Sequence, residues 1–380
     1  MMDPDGRRAL SDTDDDRMRD HARKLHESSV FVDGNNQIMT EFAIRKDLGH
    51  ENVFDDYYAP LLRKGGIDVI DMVVGGNSPC LNNTTDYLTL GALSNMDKLL
   101  EEEKDSAEFD ICRCHKDIED ALAGGRIAVL MKFEGSRALD GKPDEDDLSL
   151  LRTFYRLGLR GVCLVGSART RVADGPGEDT AGAGLTTFGV KVIEEMNRLG
   201  MVVDVAQLTD EGFWDVLEAT SKPIVDSHTN TLALCDNPRN ISDERILAMG
   251  ENGGLIGVTF VKGEVKRWAT ERGEVITFDD VVPHIDHMVG IVGIDHVAIG
   301  GDLDDWELVN NVQRCWSPVP GLIENHHIGV PVGSTLIDSP RTVEDYPVIT
   351  DSLVRHGYSD DDIRKILGLN WLRLYEEVIG

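Results

Sequence analysis

Several short apolar runs in this 380-residue chain end on side chains that can move protons or hold a ligand. Asp33-Gly34-Asn35-Asn36-Gln37 follows one run, and Glu134 closes another in Phe133-Glu134-Gly135. Gly166, Gln207, Ser227-His228 and Gly301-Asp302 follow others. Two carboxylates and an imidazole are suited to general acid–base catalysis, in which one group releases a proton as another accepts one. The neighbouring amides add donors and acceptors that can orient a polar substrate. Each residue also has a plainer role. Asn35 and Asn36 follow a glycine, where Asn commonly forms a turn. His228 alone reads as a structural histidine, and Asp302 alone as a helix cap. Glu134 is harder to explain away, because a charge at the end of an apolar strand needs a partner. Cys163, inside an apolar run, reads as a small buried hydrophobe.

These residues need a scaffold that brings separate strand ends together. Strands are expected at Ser29–Asp33, Val69–Val74, Ile127–Phe133, Gly161–Val165, Met201–Val205, Pro223–Asp226, Gly254–Phe260 and His296–Ile299. Helix-period segments lie between them, among them Phe188–Leu199, Asp210–Ala219 and Ser242–Glu251. Alternation of near-continuous apolar strands with helices predicts a parallel sheet covered by helices. About eight such units predict an α/β fold, a single (β/α)8 TIM-type barrel whose chemistry gathers at the C-terminal strand ends. Residues 1–25 read as a solvated N-terminal arm and 26–380 as the barrel. Residues 303–342, which carry Trp306, Trp316 and the pair His326-His327, read as a lid loop after the last strand.

Composition narrows the function. With 69 acidic and 38 basic side chains the net charge is −31, so a nucleic acid partner is not expected. Such an acidic protein also suits a salt-rich source. No apolar run is long enough to cross a bilayer, and the N-terminal residues are charged where a signal peptide is apolar. A cytoplasmic location away from membranes is the expectation. The six cysteines form no disulfide framework, and Cys112, Cys114 and His115 lack the spacing of a structural zinc site. The sequons at Asn82 and Asn240 read as chance matches.

The stretch from Gly184 to Ile246, with Asp204-Val205-Ala206-Gln207 and Asp226-Ser227-His228, resembles the middle of the membrane (renal) dipeptidase family of the amidohydrolase superfamily. Ile294–Asp305 and Gly357–Val378 resemble its last strand and C-terminal helices. The resemblance implies a (β/α)8 metal-dependent hydrolase with two zinc ions. The family's five ligand positions fall here on Asn35, Gln37, Glu134, Gln207 and His228, so only Glu134 and His228 keep the family's residue type. Gly166 and Val261 stand where the family has a substrate-contacting His and Tyr. Arg239, in Asp236-Asn237-Pro238-Arg239-Asn240, matches the family's anchor for the substrate carboxylate. Asp302 matches its proton-moving carboxylate.

The expectation is therefore a diverged enzyme acting on a small carboxylate-bearing substrate by elimination, isomerisation or hydrolysis of an activated amide. Asp302, His228 and Glu134 are its candidate catalytic residues. Arg239, Asn35, Asn36, Gln37 and Gln207 are its candidate substrate-binding residues. No cofactor is expected; a single divalent metal such as zinc, if bound, would rest on Glu134 and His228. A non-catalytic ligand-binding or structural homologue, and a metallo-dipeptidase with an altered metal site, are the alternatives. Relatives of this kind commonly pair, so a homodimer is expected.

Overall fold

The computed structural model describes residues 12–76, 88–140, 147–166, 169–177, 182–303 and 336–380. Its strands are β1 (Val32–Asn36), β2 (Val69–Gly76), β3 (Phe109–Ile111), β4 (Ile127–Glu134), β5 (Leu159–Cys163), β6 (Val202–Asp204), β7 (Val225–Thr229), β8 (Leu255–Thr259) and β9 (Val297–Gly301). Eight of them pair in the order β1-β2-β4-β5-β6-β7-β8-β9, all parallel, while β3 adds to β4 outside this path. The eight expected runs became the eight strands of the barrel. The seam between β9 and β1 is bridged where the Asp302 N–H donates to the Asn35 carbonyl at 3.2 Å. The result is the nearly closed (β/α)8 barrel that the strand–helix alternation predicts.

Two apolar layers hold it. Valine, isoleucine, methionine and phenylalanine side chains on the outer strand faces pack beneath the surrounding helices. Inside, Val32, Val69, Leu130, Val202, Val225, Leu255 and Ala298 meet Trp371, Leu374 and Tyr375 of the C-terminal helix Asn370–Ile379. That helix plugs the N-terminal end of the barrel, and the Trp371 indole N–H donates to the Ile299 carbonyl at 2.9 Å. A Cβ at Gly34 would lie 1.9 Å from the Trp371 ring, so only glycine fits there.

The expected helices form with the caps their sequences allow. Thr186 caps Thr187–Leu199 and Thr209 caps Asp210–Ala219, each accepting from the backbone N–H three residues on. Ser242 does the same for Asp243–Glu251. The arm expected over residues 1–25 is in its described part a helix, Asp12–Glu27, that buries Ala22 and Leu25. Most of the expected lid, including Trp306, Trp316, His326 and His327, lies outside the described residues.

Candidate functional site

Register irregularities fall at the C-terminal ends of β1, β2, β7 and β8, between Asp33 and Asn36, Val73 and Gly75, Asp226 and Thr229, and Val258 and Thr259. Such irregularities break strict side-chain alternation and re-aim residues, here around the mouth of the barrel. At the exit of β9, Gly301 (φ +56°) and Asp302 (φ +61°) both take the left-handed conformation. A Cβ on Gly301 would lie 2.5 Å from the Tyr346 hydroxyl and 2.7 Å from an Asp33 oxygen. Gln207 is also left-handed, at φ +66°. Non-glycine residues held this way concentrate at functional sites, and two of the mouth's polar residues are among them.

The mouth is one hydrogen-bonded network. The Gln37 side-chain NH2 donates to Glu134 Oε2 and, at 3.2 Å, to Asp302 Oδ1. Asn35 Nδ2 donates to the same Asp302 oxygen at 2.8 Å. Gln207 Nε2 donates to Glu134 Oε1 at 2.7 Å and lies 2.9 Å from His228 Nε2. Three amides thus tie the two carboxylates and the imidazole together. His228 Nε2 and Glu134 Oε1 are 4.0 Å apart. Among the described residues, Glu134, His228 and Asp302 form a group whose ligand atoms all lie within 4.8 Å of one another. Asp302 thus stands with Glu134 and His228, the pair named in the sequence for a single metal.

The two carboxylates are driven in opposite directions. Burial pushes Asp302 up to about 6, and the neighbouring Glu134 adds to this while His228 and Arg239 oppose it. Burial also works to raise Glu134, but His228, the Gln37 hydrogen bond, Arg239 and Lys132 outweigh it and hold this group below the usual range. Arg239 stands over the network from the loop after β7. Its Nε lies 3.7 Å from Glu264 Oε1 and makes no hydrogen bond among the described residues. Asn35 Oδ1 and Glu264 Oε2 are likewise buried without a hydrogen bond. Unpaired buried polar atoms are costly, and an incoming polar ligand would satisfy them.

Of the residues singled out in the sequence, Asn35, Gln37, Glu134, Gln207, His228 and Asp302 meet in this network. Asn36 does not join it: its Nδ2 donates to Asp33 Oδ2 at 2.9 Å and its Oδ1 accepts from the Ile38 N–H at 3.2 Å. That is the local turn role open to an Asn at a strand end. Cys163 is buried, with its thiol 3.0 Å from the Val165 carbonyl and raised well above its ordinary range by burial.

Below the network lies a layer that the sequence reading passed over. Lys132, two residues before Glu134 on β4, donates to Asp204 Oδ2 at 2.8 Å, to Ser227 Oγ at 3.0 Å and to the Gly34 carbonyl at 3.3 Å. It is 3% exposed and so is tied wholly to protein. Burial works to lower its pKa, but Asp204 and Asp71 overcome that and keep it charged. Asp71, bonded by the Tyr375 hydroxyl at 2.9 Å, is raised to about 7 by burial. The available signal was a lysine inside Ile127–Glu134, a strand otherwise apolar up to its last residue.

Comparison with known proteins defines the class. A family model described as membrane dipeptidase (peptidase family M19) matches residues 19–324. The chain belongs to that family, and its membership supports an enzyme of the hydrolase type. It is similar to a Klebsiella pneumoniae protein, "Uncharacterized protein in pqqA 5'region", at 29% identity over 70% of this chain and 88% of that one. It is 28% identical to "Uncharacterized dipeptidase C965.12" of Schizosaccharomyces pombe over 70% of this chain, but that match spans only 59% of the yeast protein. A metallo peptidase from Rhodobacter sphaeroides, solved with a phosphinate mimic of the dipeptide L-Ala-D-Ala, superposes with a TM-score of 0.74 at 23% identity. That superposition covers 92% of this chain and all of the other, and it shows the shared fold.

Proposed function

We propose that this chain is an enzyme that hydrolyses an activated amide in a small carboxylate-bearing substrate, using Asp302 and Glu134 as its proton-moving pair. One observation carries the reading: the Gln37 NH2 bridges Glu134 and Asp302 and holds the two carboxylates at a shared mouth. Both amide donors to Asp302 go to Oδ1, which leaves Oδ2 open to hold a transferable proton. Glu134 accepts from two amides and is the better-stabilised anion. Arg239, whose Nε faces Glu264 at 3.7 Å and makes no hydrogen bond among the described residues, holds the substrate carboxylate. In the reaction, Glu134 takes a proton from the attacking water as the C–O bond forms. Asp302 gives its proton to the leaving nitrogen as the C–N bond breaks. Elimination or isomerisation beside a carbonyl needs the same two groups, but family membership favours hydrolysis.

Three of the five positions that the family resemblance assigns to zinc ligands carry neutral amides, and all three amides turn their NH2 groups toward carboxylates or imidazole. Amide oxygens are weak zinc donors beside imidazole and carboxylate. The set does not fit two zinc ions. It fits one divalent cation, because Glu134, His228 and Asp302 converge, and this observation supports a second reading as a single-metal hydrolase. A cation bound there would polarise the substrate carbonyl and lower the pKa of water.

The test is a turnover screen of dipeptides, N-acyl amino acids and cyclic imides, repeated with Asp302→Asn. A loss of about 100-fold or more supports the proton-transfer role. Unchanged turnover in Asp302→Asn defeats it, and tight binding with no turnover of any class returns the chain to a non-catalytic binding role.

A further inference from the structure

We infer that Gln207 at the mouth and Ser227 one layer beneath it fix the tautomer of His228, so that Nδ1 carries the hydrogen and donates to Ser227 Oγ while Nε2 accepts from Gln207. An ammonium group has three hydrogens and no acceptor, and Lys132 faces three acceptors: Asp204 Oδ2, Ser227 Oγ and the Gly34 carbonyl. Ser227 Oγ therefore accepts from Lys132. The same oxygen lies 2.8 Å from His228 Nδ1, and the other ring nitrogen lies 2.9 Å from Gln207 Nε2.

Gln207 settles the direction. Its NH2 has two hydrogens; one goes to Glu134 Oε1 and the other points at His228 Nε2. The reversed amide would set its oxygen against the ionised Glu134 oxygen at 2.7 Å, which is repulsive. His228 Nε2 is therefore an acceptor. A neutral imidazole accepts at one nitrogen and donates at the other, so Nδ1 donates to Ser227 Oγ. That oxygen receives two hydrogen bonds, from Lys132 and from His228, which its two lone pairs allow.

Ser227 is a positioning residue, and its effect reaches the mouth through His228. Lys132 also reaches the Gly34 carbonyl, next to Asn35, and Asp204 on β6, so one ammonium registers β1, β4, β6 and β7 beneath the network. Asp204 is itself anchored, because its Oδ1 accepts the N–H groups of Ala206 and Ser227, each at 3.1 Å. The consequence rests on the acid–base reading above: a His228 ring with its hydrogen on Nδ1 has none at Nε2 to give to the mouth, so the proton transfers fall to Glu134 and Asp302.

The test is nitrogen NMR of the full chain labelled with 15N-histidine at pH 8, with His228→Gln used to assign the signal among the 11 histidines. The expected spectrum has a hydrogen on Nδ1 and an unprotonated Nε2. Ser227→Ala should move the tautomer ratio toward Nε2–H by roughly tenfold, the worth of one lost hydrogen bond, while Ser227→Thr keeps the hydroxyl and the ratio. A wild-type ring protonated at Nε2 overturns the inference, as does a Ser227→Ala ratio equal to wild type. Should Ser227→Ala fail to fold, the wild-type spectrum alone decides. The expected tautomer without any turnover would defeat the acid–base reading and leave this inference standing; turnover with the opposite tautomer would do the reverse.

Discussion

Replacing Lys132 by Met removes the ammonium but keeps an unbranched side chain of similar length. Three acceptors lose their donor: Asp204 Oδ2, Ser227 Oγ and the Gly34 carbonyl. The side chains of Lys132 and Asp204 are 4% and 2% exposed, so water cannot substitute. Breaking a buried pair by removing one partner costs about 3–5 kcal/mol, because the other charge is left uncompensated. Unfolding entropy of about 2 cal/mol/K per residue gives roughly 0.8 kcal/mol/K for a chain of this size, so a loss of about 4 kcal/mol lowers Tm by about 5 °C. The assay is a double-mutant cycle in thermal and urea unfolding with Asp204→Asn, which removes the charge but keeps Oδ1 for the Ala206 and Ser227 N–H groups. The double variant should be more stable than the sum of the single losses predicts, by roughly 1–3 kcal/mol. A loss under about 1 kcal/mol for Lys132→Met, or strict additivity in the cycle, would refute the claim that this pair organises the layer below the mouth.

Asp71 should make stability fall as pH rises. Its folded pKa, about 7 against an ordinary 3.8, means the folded chain holds a proton that the unfolded chain has lost. That contribution is fully present below pH 4 and disappears as pH passes through 7, at up to roughly 1 kcal/mol per pH unit. Asp71→Asn keeps the Tyr375 hydroxyl bonded and should flatten unfolding free energy between pH 5 and 8; an unchanged slope counts against the assignment. Arg239→Lys keeps the charge but loses the planar fork, so KM for a carboxylate-bearing substrate should rise about tenfold with a smaller change in kcat, read from initial-rate kinetics. Equal kinetics would remove Arg239 from carboxylate binding.

The barrel was legible because each of its eight strands is a compact apolar run punctuated by turn residues, and helical spacing fills the gaps. β3 was not, since Phe109–Ile111 is three residues long and too short to show a period. The first helix was read as an arm because Asp12–Glu27 is strongly charged; only its packing shows that Ala22 and Leu25 are covered. Most of the mouth was readable as residue types at strand ends. Its connectivity was not: which amide bridges which carboxylate depends on barrel closure, and closure joins Asn35 to Asp302 across 267 positions. Asn36 shows the limit from the other side, because its neighbour in sequence enters the network while it turns to Asp33. Charges inside apolar strands were visible throughout, at Asp71, Lys132, Asp204 and Asp226. Their partners lie far off in sequence: Lys132 pairs with Asp204 across strands, while Asp71 and Asp226 meet Tyr375 and Arg245 on helices.

The proposed function has the mouth working with Asn35, Gln37 and Gln207 at positions where the family resemblance implies zinc ligands. Metal content of the purified chain, measured by mass spectrometry after incubation with excess zinc or manganese and desalting, tests it most directly. At most one equivalent per chain is expected, and Glu134→Gln removes it. Two equivalents retained after desalting would contradict it and return the site to dinuclear dipeptide hydrolysis.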